Sequence, residues 1–399
     1  MIKRSEASSR HKLPKRVITW TVIWLVTLVG LRLTLLAAEV CPAVTVTSTH
    51  RSAVAAADWI VENQGLDGRY LYDWDLDIAG PTDAPYNLVR HAGTTMALYQ
   101  FVLEGETSYL EAADTGIDWL LDRQVGNAEV TAIAPSPTSR AKLGTAALTT
   151  VGLVLRRQAT GDTTHDELLR SMGRLMVGQQ QPDGSMLNFW DPETEAPVPE
   201  VTSLFATGEA LWALALLHNT WPDEGWDDPA WRTLDYMATD RDEDEDVWPR
   251  PWADQWAAYS LNEMAEWGLS DTHIEYAELL AAQWGIAVRW ESQRNGGIDG
   301  LVHAPESIAA GQGTWLEGLG MMYELSLEDD RMSDLSNDLA DRLTCGAGRM
   351  IDKQRVGTGL PEVDGGFFVK GVTRVDGQQH TLSGLIFTER VLIDSPEDP

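Results

Sequence analysis

Six stretches of this chain have no polar face to offer water. They begin near residues 90, 142, 203, 252, 311 and 378, and include HAGTTMALYQF, KLGTAALTTVGLVLR, SLFATGEALWALALL, WADQWAAYSLNEMAEW, GQGTWLEGLGMMYEL and QQHTLSGLIFTERVL. A helix that is apolar all round has to be enclosed by other helices. Between them lie segments of the opposite character, at 51–64, 107–124, 165–181, 228–239, 271–290 and 331–344. In the second of these, Tyr109, Leu110, Ala113, Ile117, Leu120 and Leu121 recur at helical spacing beneath a charged face. Enclosed and amphipathic helices alternating six times predict an all-α chain. It closes into an (α/α)6 barrel of six hairpins, with the apolar helices as the inner ring.

The connections point to one end of that barrel. Those from inner to outer helix are short, whereas those from outer to inner, at 65–89, 182–202, 291–310 and 345–377, are long. Long structured loops in a compact domain are usually functional. All of them fall on the rim where the inner helices begin, and free N–H groups at a helix start favour ligands there.

The N-terminus carries an address. Six basic residues (Lys3, Arg4, Arg10, Lys12, Lys15 and Arg16) precede Val17–Ala38, which is interrupted only by Arg32. About 20 apolar residues span a bilayer, and basic residues ahead of the span set its N-terminus in the cytoplasm. The expected organisation is a basic segment (1–16), a transmembrane anchor or signal peptide (17–38), a linker (39–50), the toroid (51–392) and an acidic tail (393–399). Both readings of 17–38 export the body. Cys41 and Cys345 are the only cysteines, and they either pair in an oxidising compartment or stay as two thiols. The chain carries 61 acidic and 30 basic residues, a net charge of −31. Such a body repels nucleic acid, and it accepts an anionic polymer only through a local basic patch. No metal motif and no cofactor motif occurs.

The alternating hairpins come with Gln- and Asp-Gly-bearing turns at Gln64, Gln181 and Gln293, and with aromatic–acidic loops such as YLYDWDLD at 70–77. In these features the chain from Arg51 to Leu392 resembles the six-hairpin glycosidase superfamily and related (α/α)6 enzymes acting on sugars. The turns are also similar to those of terpene-cyclase toroids, but the acidic run DRDEDED at 240–246 lies in a hydrophilic stretch and is read as a solvated loop. The resemblance implies a carbohydrate cleft, worked by carboxylates in hydrolases or by His and Tyr in epimerases and lyases.

Candidate residues follow from the rim. Arg90 and His91 stand together after a loop carrying Asp73, Asp75 and Asp77, and either bind substrate with His91 as acid/base or tie the loop to the helix. Glu209 and Glu317 are carboxylates inside apolar helices, where burial raises the pKa of a general acid. Asp254 opens the fourth inner helix, as a base or a cap. His380 opens the sixth, with Asp376 nearby. The catalytic candidates are therefore Asp75, His91, Glu209, Asp254, Glu317 and His380, with Glu200 less constrained. The binding candidates are Arg90, Tyr72, Trp74, Asp77, Trp190, Gln255, Gln312 and Gln379, with Phe189 and Trp248 as further aromatic platforms. The expected function is an exported, membrane-anchored glycoside hydrolase. A sugar epimerase or lyase of the same fold, or a toroid that binds glycan or protein without catalysis, are the alternatives. Hydrolysis requires two carboxylates across the cleft. Complete burial of Arg90 and His91 favours the binding toroid.

Overall fold

The computed structural model describes residues 15–34, 36–199, 201–248, 254–294, 303 and 305–394. An apolar helix α1 (Lys15–Leu33) precedes α2 (Val46–Glu62), α3 (Leu88–Leu103), α4 (Leu110–Leu121), α5 (Leu143–Thr160), α6 (Asp166–Gln179) and α7 (Ala206–Thr220). Then follow α8 (Asp227–Thr239), the single turn α9 (Arg241–Asp244), α10 (Gln255–Glu263), α11 (Asp271–Ser292), α12 (Ala309–Glu328), α13 (Ser336–Ile351) and α14 (Val375–Asp394). Helices α3, α5, α7, α10, α12 and α14 each pack on the next, and α14 returns to α3 to close the ring. Every residue of α3 from His91 to Val102 is buried, as expected of a helix without a polar face. Helices α2, α4, α6, α8, α11 and α13 form the outer layer. The fold is the six-hairpin (α/α)6 toroid.

Turns bearing Gln and Asp-Gly staple the outer layer together. Gln64 Nε2 donates to the carbonyl of Ala112 in α4 (2.9 Å), and Gln180 Nε2, in place of the Gln181 expected from the sequence, donates to the Pro229 carbonyl and to the Thr233 hydroxyl in α8 (both 2.7 Å). Gln354, a further copy that the spacing conceals, donates to the Ser52 carbonyl in α2 (2.9 Å), while the Asp-Gly that follows Gln293 lies outside the described residues. The accompanying Gly184 and Gly365 have φ of 95° and 89°, and a Cβ on either would lie 2.1 Å from a carbonyl oxygen of the next outer helix. Only glycine meets both conditions.

Helix α2 begins five residues before the expected 51, because Thr45 caps it and Ser48 reciprocates in a capping box. The segment ahead of it is bound to the body along its length. Gln293 Nε2 donates to the Ala37 carbonyl (3.1 Å), Val40 N donates to Ser292 O (2.8 Å), and Glu39 accepts from Arg342 and from Ser292 Oγ (2.9 Å). A disulfide then joins Cys41 to Cys345 on α13, 304 residues later in sequence. So long a closed loop places the bond in the strongly stabilising range, and replacing both cysteines by serine is expected to cost about 2–4 kcal/mol, read by urea denaturation. An unchanged midpoint would contradict this.

Helix α1 is long and apolar enough to cross a membrane or serve as a signal sequence, and none of its residues is buried. Short strands, which the helical periodicity gives no hint of, stiffen the rim. Asp73–Asp75 pairs with Val372–Arg374 across the whole chain, and Phe189–Asp191 pairs with both Ala141–Lys142 and Ala196–Pro197.

Candidate functional site

The inner helices begin around a cavity of about 520 Å³. All six contribute: Asn87, Val89 and Arg90 from the α3 start, Leu148 from α5, Phe205 and Glu209 from the α7 start, Gln255 and Trp256 from α10, Thr314 and Trp315 from α12, and Asp376, Gln379 and His380 from α14. Its wall mixes aromatic faces with amide, guanidinium and carboxyl groups.

Glycines near the helix starts make room for the polar groups. A Cβ on Gly144 would sit 1.9 Å from Glu209 Oε2, one on Gly208 2.7 Å from Asp254 Oδ2, and one on Gly93 2.8 Å from Gln379 Oε1. The repeated Gly of AGT, LGT and TGE is therefore the notch in which a neighbouring inner helix seats its side chain. Burial pushes the Glu209 carboxyl up to about 8, helped by the Asp254 charge and opposed by that of Lys142. At neutral pH Glu209 holds its proton while lining the cavity, the condition a general acid needs.

His380 is positioned from behind. Its Nδ1 lies 2.6 Å from Glu317 Oε2 and 3.0 Å from Gln379 Nε2; in the tautomer whose Nδ1–H donates to the carboxylate, Nε2 is the nitrogen left to accept a proton. Glu317 is completely buried and also accepts from the Tyr259 hydroxyl (3.1 Å). Gln100 Nε2 reaches that hydroxyl at 3.3 Å, and Ser383 Oγ donates to Gln100 Oε1 at 2.6 Å. The chain Ser383–Gln100–Tyr259–Glu317–His380 gives each buried polar group a partner and fixes the imidazole.

Arg90 Nε donates to Asp376 Oδ2 at 2.8 Å, and Arg374 Nε and NH2 donate to Oδ1 and Oδ2 at 2.5 and 2.6 Å. Burial acts to raise the Asp376 pKa, but these guanidinium groups outweigh it and the net direction is down. Both oxygens are occupied.

Several candidates stand elsewhere. His91 is fully enclosed, with Nδ1 2.7 Å from the Tyr86 hydroxyl, Nε2 2.8 Å from Gly116 O, and its ring stacked on Trp119. Burial depresses its pKa to about 3, so it is a neutral structural group behind the cleft wall. Consecutive helical residues point about 100° apart, so Arg90 and His91 cannot both face inward. Asp254 is buried beneath the cavity, where Oδ1 caps α10 through Trp256 N (2.9 Å) and Oδ2 lies 3.4 Å from the buried Arg241 NH1. The acidic run at 240–246 is thus not wholly solvated, since Arg241 belongs to it. Gln312 turns outward, donating to Ser307 O (2.7 Å) and accepting from Lys353 (3.0 Å). Asp75 caps its own turn at Asp77 N (2.8 Å), and Asp77 is exposed. Trp74 and Trp190 sit in the rim strands outside the cavity lining, Phe189 lies beside Trp190, and Trp248 is 84% exposed. Tyr72 is mostly buried, and its hydroxyl accepts from Arg90. Glu200 lies outside the described residues.

The sequence reading missed Arg374, Phe205, Trp256 and Trp315. Arg374 reaches the cleft only because its strand pairs with residues 300 positions earlier. Trp256 and Trp315 lie near the starts of inner helices, and that position was the available signal. Among the described residues, the one group with metal-ligand proximity is Glu39 with Cys41 and Cys345, and the disulfide consumes it.

No protein-family model and no curated protein sequence matches the chain. Solved structures do. A GH76 α-mannanase from Bacteroides thetaiotaomicron superposes with a TM-score of 0.61 at 12% identity, covering 87% of this chain and 97% of that one. A cellobiose 2-epimerase from Bacillus thermoamylovorans gives 0.58 at 11% identity, over 86% and 98%. A type II terpene cyclase from Scytonema gives 0.52 at 12% identity, over 87% and 99%. These likenesses establish the fold and leave the chemistry to the site.

Proposed function

We propose that this protein is a carbohydrate-active enzyme that works by proton transfer, with Glu209 as the acid and His380, oriented by Glu317, as the base. The observation that carries the reading is that a carboxyl kept protonated by burial and an imidazole tied at Nδ1 line the same cavity. A sugar suits this wall better than a terpene does. Gln255, Gln379, Asn87 and Arg90 offer hydrogen bonds to hydroxyls, and Trp256, Trp315 and Phe205 offer faces to C–H surfaces. A cyclase guiding a carbocation would leave those polar groups without partners.

The arrangement favours an epimerase or lyase, in which a C–H proton is removed by the imidazole. Glycoside hydrolysis is the second reading, and the protonated Glu209 favours it. Its difficulty is the second carboxylate: among the described residues lining the cavity this can only be Asp376, whose oxygens are held by Arg90 and Arg374. The body is further inferred to lie outside the cytoplasm, on the strength of the basic flank ahead of α1 and of the disulfide.

The test is a panel of mono- and oligosaccharides incubated with the full-length protein in D2O. Either deuterium entering a sugar carbon with inversion, or an ultraviolet-absorbing double bond formed as the C–H proton and the leaving oxygen depart, is expected, and His380→Asn should lower that rate by about 10²-fold or more. New reducing ends with neither C–H exchange nor a double bond would move the assignment to hydrolysis. Binding without turnover across the panel would leave a lectin-like toroid.

A further inference from the structure

Beside the main cavity lies a second one of about 300 Å³, sharing Asn87, Arg90 and Arg374 with it. Its described lining includes four cations, Arg90, Arg140, Lys142 and Arg374, and no carboxylate. In a chain of net charge −31 this is a marked local reversal. Lys142 is one of only three lysines after residue 40.

The counter-charges do not balance the cluster. Arg90 and Arg374 share the one carboxylate ion-paired with them, that of Asp376, while Asp73, whose oxygens accept from Thr82, acts on Arg374 only through space. Arg140 is more than half exposed and reaches Asp191 only at 3.6 Å. Lys142 makes no ion pair among the described residues. Glu209 and Lys142 lie near enough to interact electrostatically, and burial favours the uncharged form of Glu209. Converging cations repel one another, and holding them together without an anion is costly.

The backbone keeps them there. Lys142 ends a strand paired with Phe189–Asp191, and Arg374 ends one paired with Asp73–Asp75, so both project from short sheet pieces instead of free loops. Tyr72 and Tyr86 add aromatic surface to the same lining. The cavity thus combines held cations with aromatic surface, and it borders the main cavity through Asn87, Arg90 and Arg374.

We propose that the substrate is an anionic sugar, a uronate foremost, whose oxyanion is seated among Arg90, Arg140, Lys142 and Arg374 while its ring extends into the main cavity. This rests on the sugar-enzyme reading above and narrows it to a charged substrate class. Neutralising a carboxylate also lowers the cost of removing a proton from the adjacent carbon, so the seat and the acid–base pair serve one purpose.

The experiment is calorimetric titration of the full-length protein with glucuronate, glucose 6-sulfate, glucose 6-phosphate and glucose, at low and at physiological salt. A charged sugar is expected to bind about tenfold or more tightly than glucose, the gain of one charge-assisted contact. The tightest of the three identifies the oxyanion as carboxylate, sulfate or phosphate. Raising the salt should shrink the preference. Lys142→Ala should erase most of the preference for the charged sugars, whereas Lys142→Arg, which keeps the charge, should retain it. Equal affinity for glucose and all three charged sugars would overturn the anionic seat while leaving the sugar-enzyme reading in place. Failure of all four sugars to bind, with inorganic sulfate still bound, would overturn both.

Discussion

Glu209→Gln is expected to lower kcat by about 10²–10⁴-fold and, in the same protein, to raise stability above neutral pH. The two effects have one cause. An unfolded Glu titrates near its ordinary value of 4.5, whereas burial holds the native Glu209 at about 8. Between these values the folded state binds the extra proton, so stability falls as the pH rises through the window and the penalty is complete above 8. Glutamine keeps the shape and is never charged, which removes the penalty. The gain in unfolding free energy should grow from near zero at pH 4 to a few kcal/mol at pH 9, measured by denaturant titration at each pH. In the active protein, the alkaline limb of the kcat profile should fall near pH 8. A variant with undiminished kcat would remove Glu209 from the chemistry, and a flat stability difference would remove the raised pKa.

Asp254→Ala should do the reverse, harming the fold far more than the reaction. Arg241 has no exposed surface, and Asp254 is one of two carboxylates holding it, the other being Asp242 at 3.2 Å. Removing one partner of a buried ion pair costs about 3–5 kcal/mol, and the loss of the α10 cap adds about 1 kcal/mol. Asp254→Asn separates the terms, because asparagine caps as well as aspartate but carries no charge. It should retain the cap and lose the charge contribution, with kcat per folded molecule within about threefold of the parent. A large fall in kcat at full stability would return Asp254 to the list of acids and bases.

These two carboxylates mark the limits of what sequence conveys. The ring of inner helices was legible because enclosure demands apolar residues on every side, and SLFATGEALWALALL or KLGTAALTTVGLVLR cannot sit elsewhere. The rim was legible from loop length. Which rim residue faces inward was not, because one step along a helix turns the side chain by about 100°. Arg90 therefore enters the cleft while His91 stacks on Trp119, and Gln312 reaches the outer layer while Glu317 supports His380 from within the barrel. Asp254 satisfied every sequence criterion for a base, but its partner Arg241 sat inside a run of acids that looked fully solvated. Arg374 depended on a strand pairing between residues 73–75 and 372–374, and nothing local announces such a pairing. The Gly of AGT, LGT and TGE was visible as a repeat, although its role as a notch appears only when the neighbouring helix is in place.

The bonds around Ala37 and Val40 bear on where the cleft stands relative to α1. They are made with Ser292 and Gln293 at the C-terminal end of α11, on the rim from which the chain departs for the start of α12 and so the rim on which the cleft opens. Only residues 34–36 separate them from the end of α1, a reach of about 10 Å. A bilayer crossed by α1 would then lie within reach of the mouth of the barrel, near the end of α11. A ligand rooted in that membrane would have only a short way to travel to the cleft.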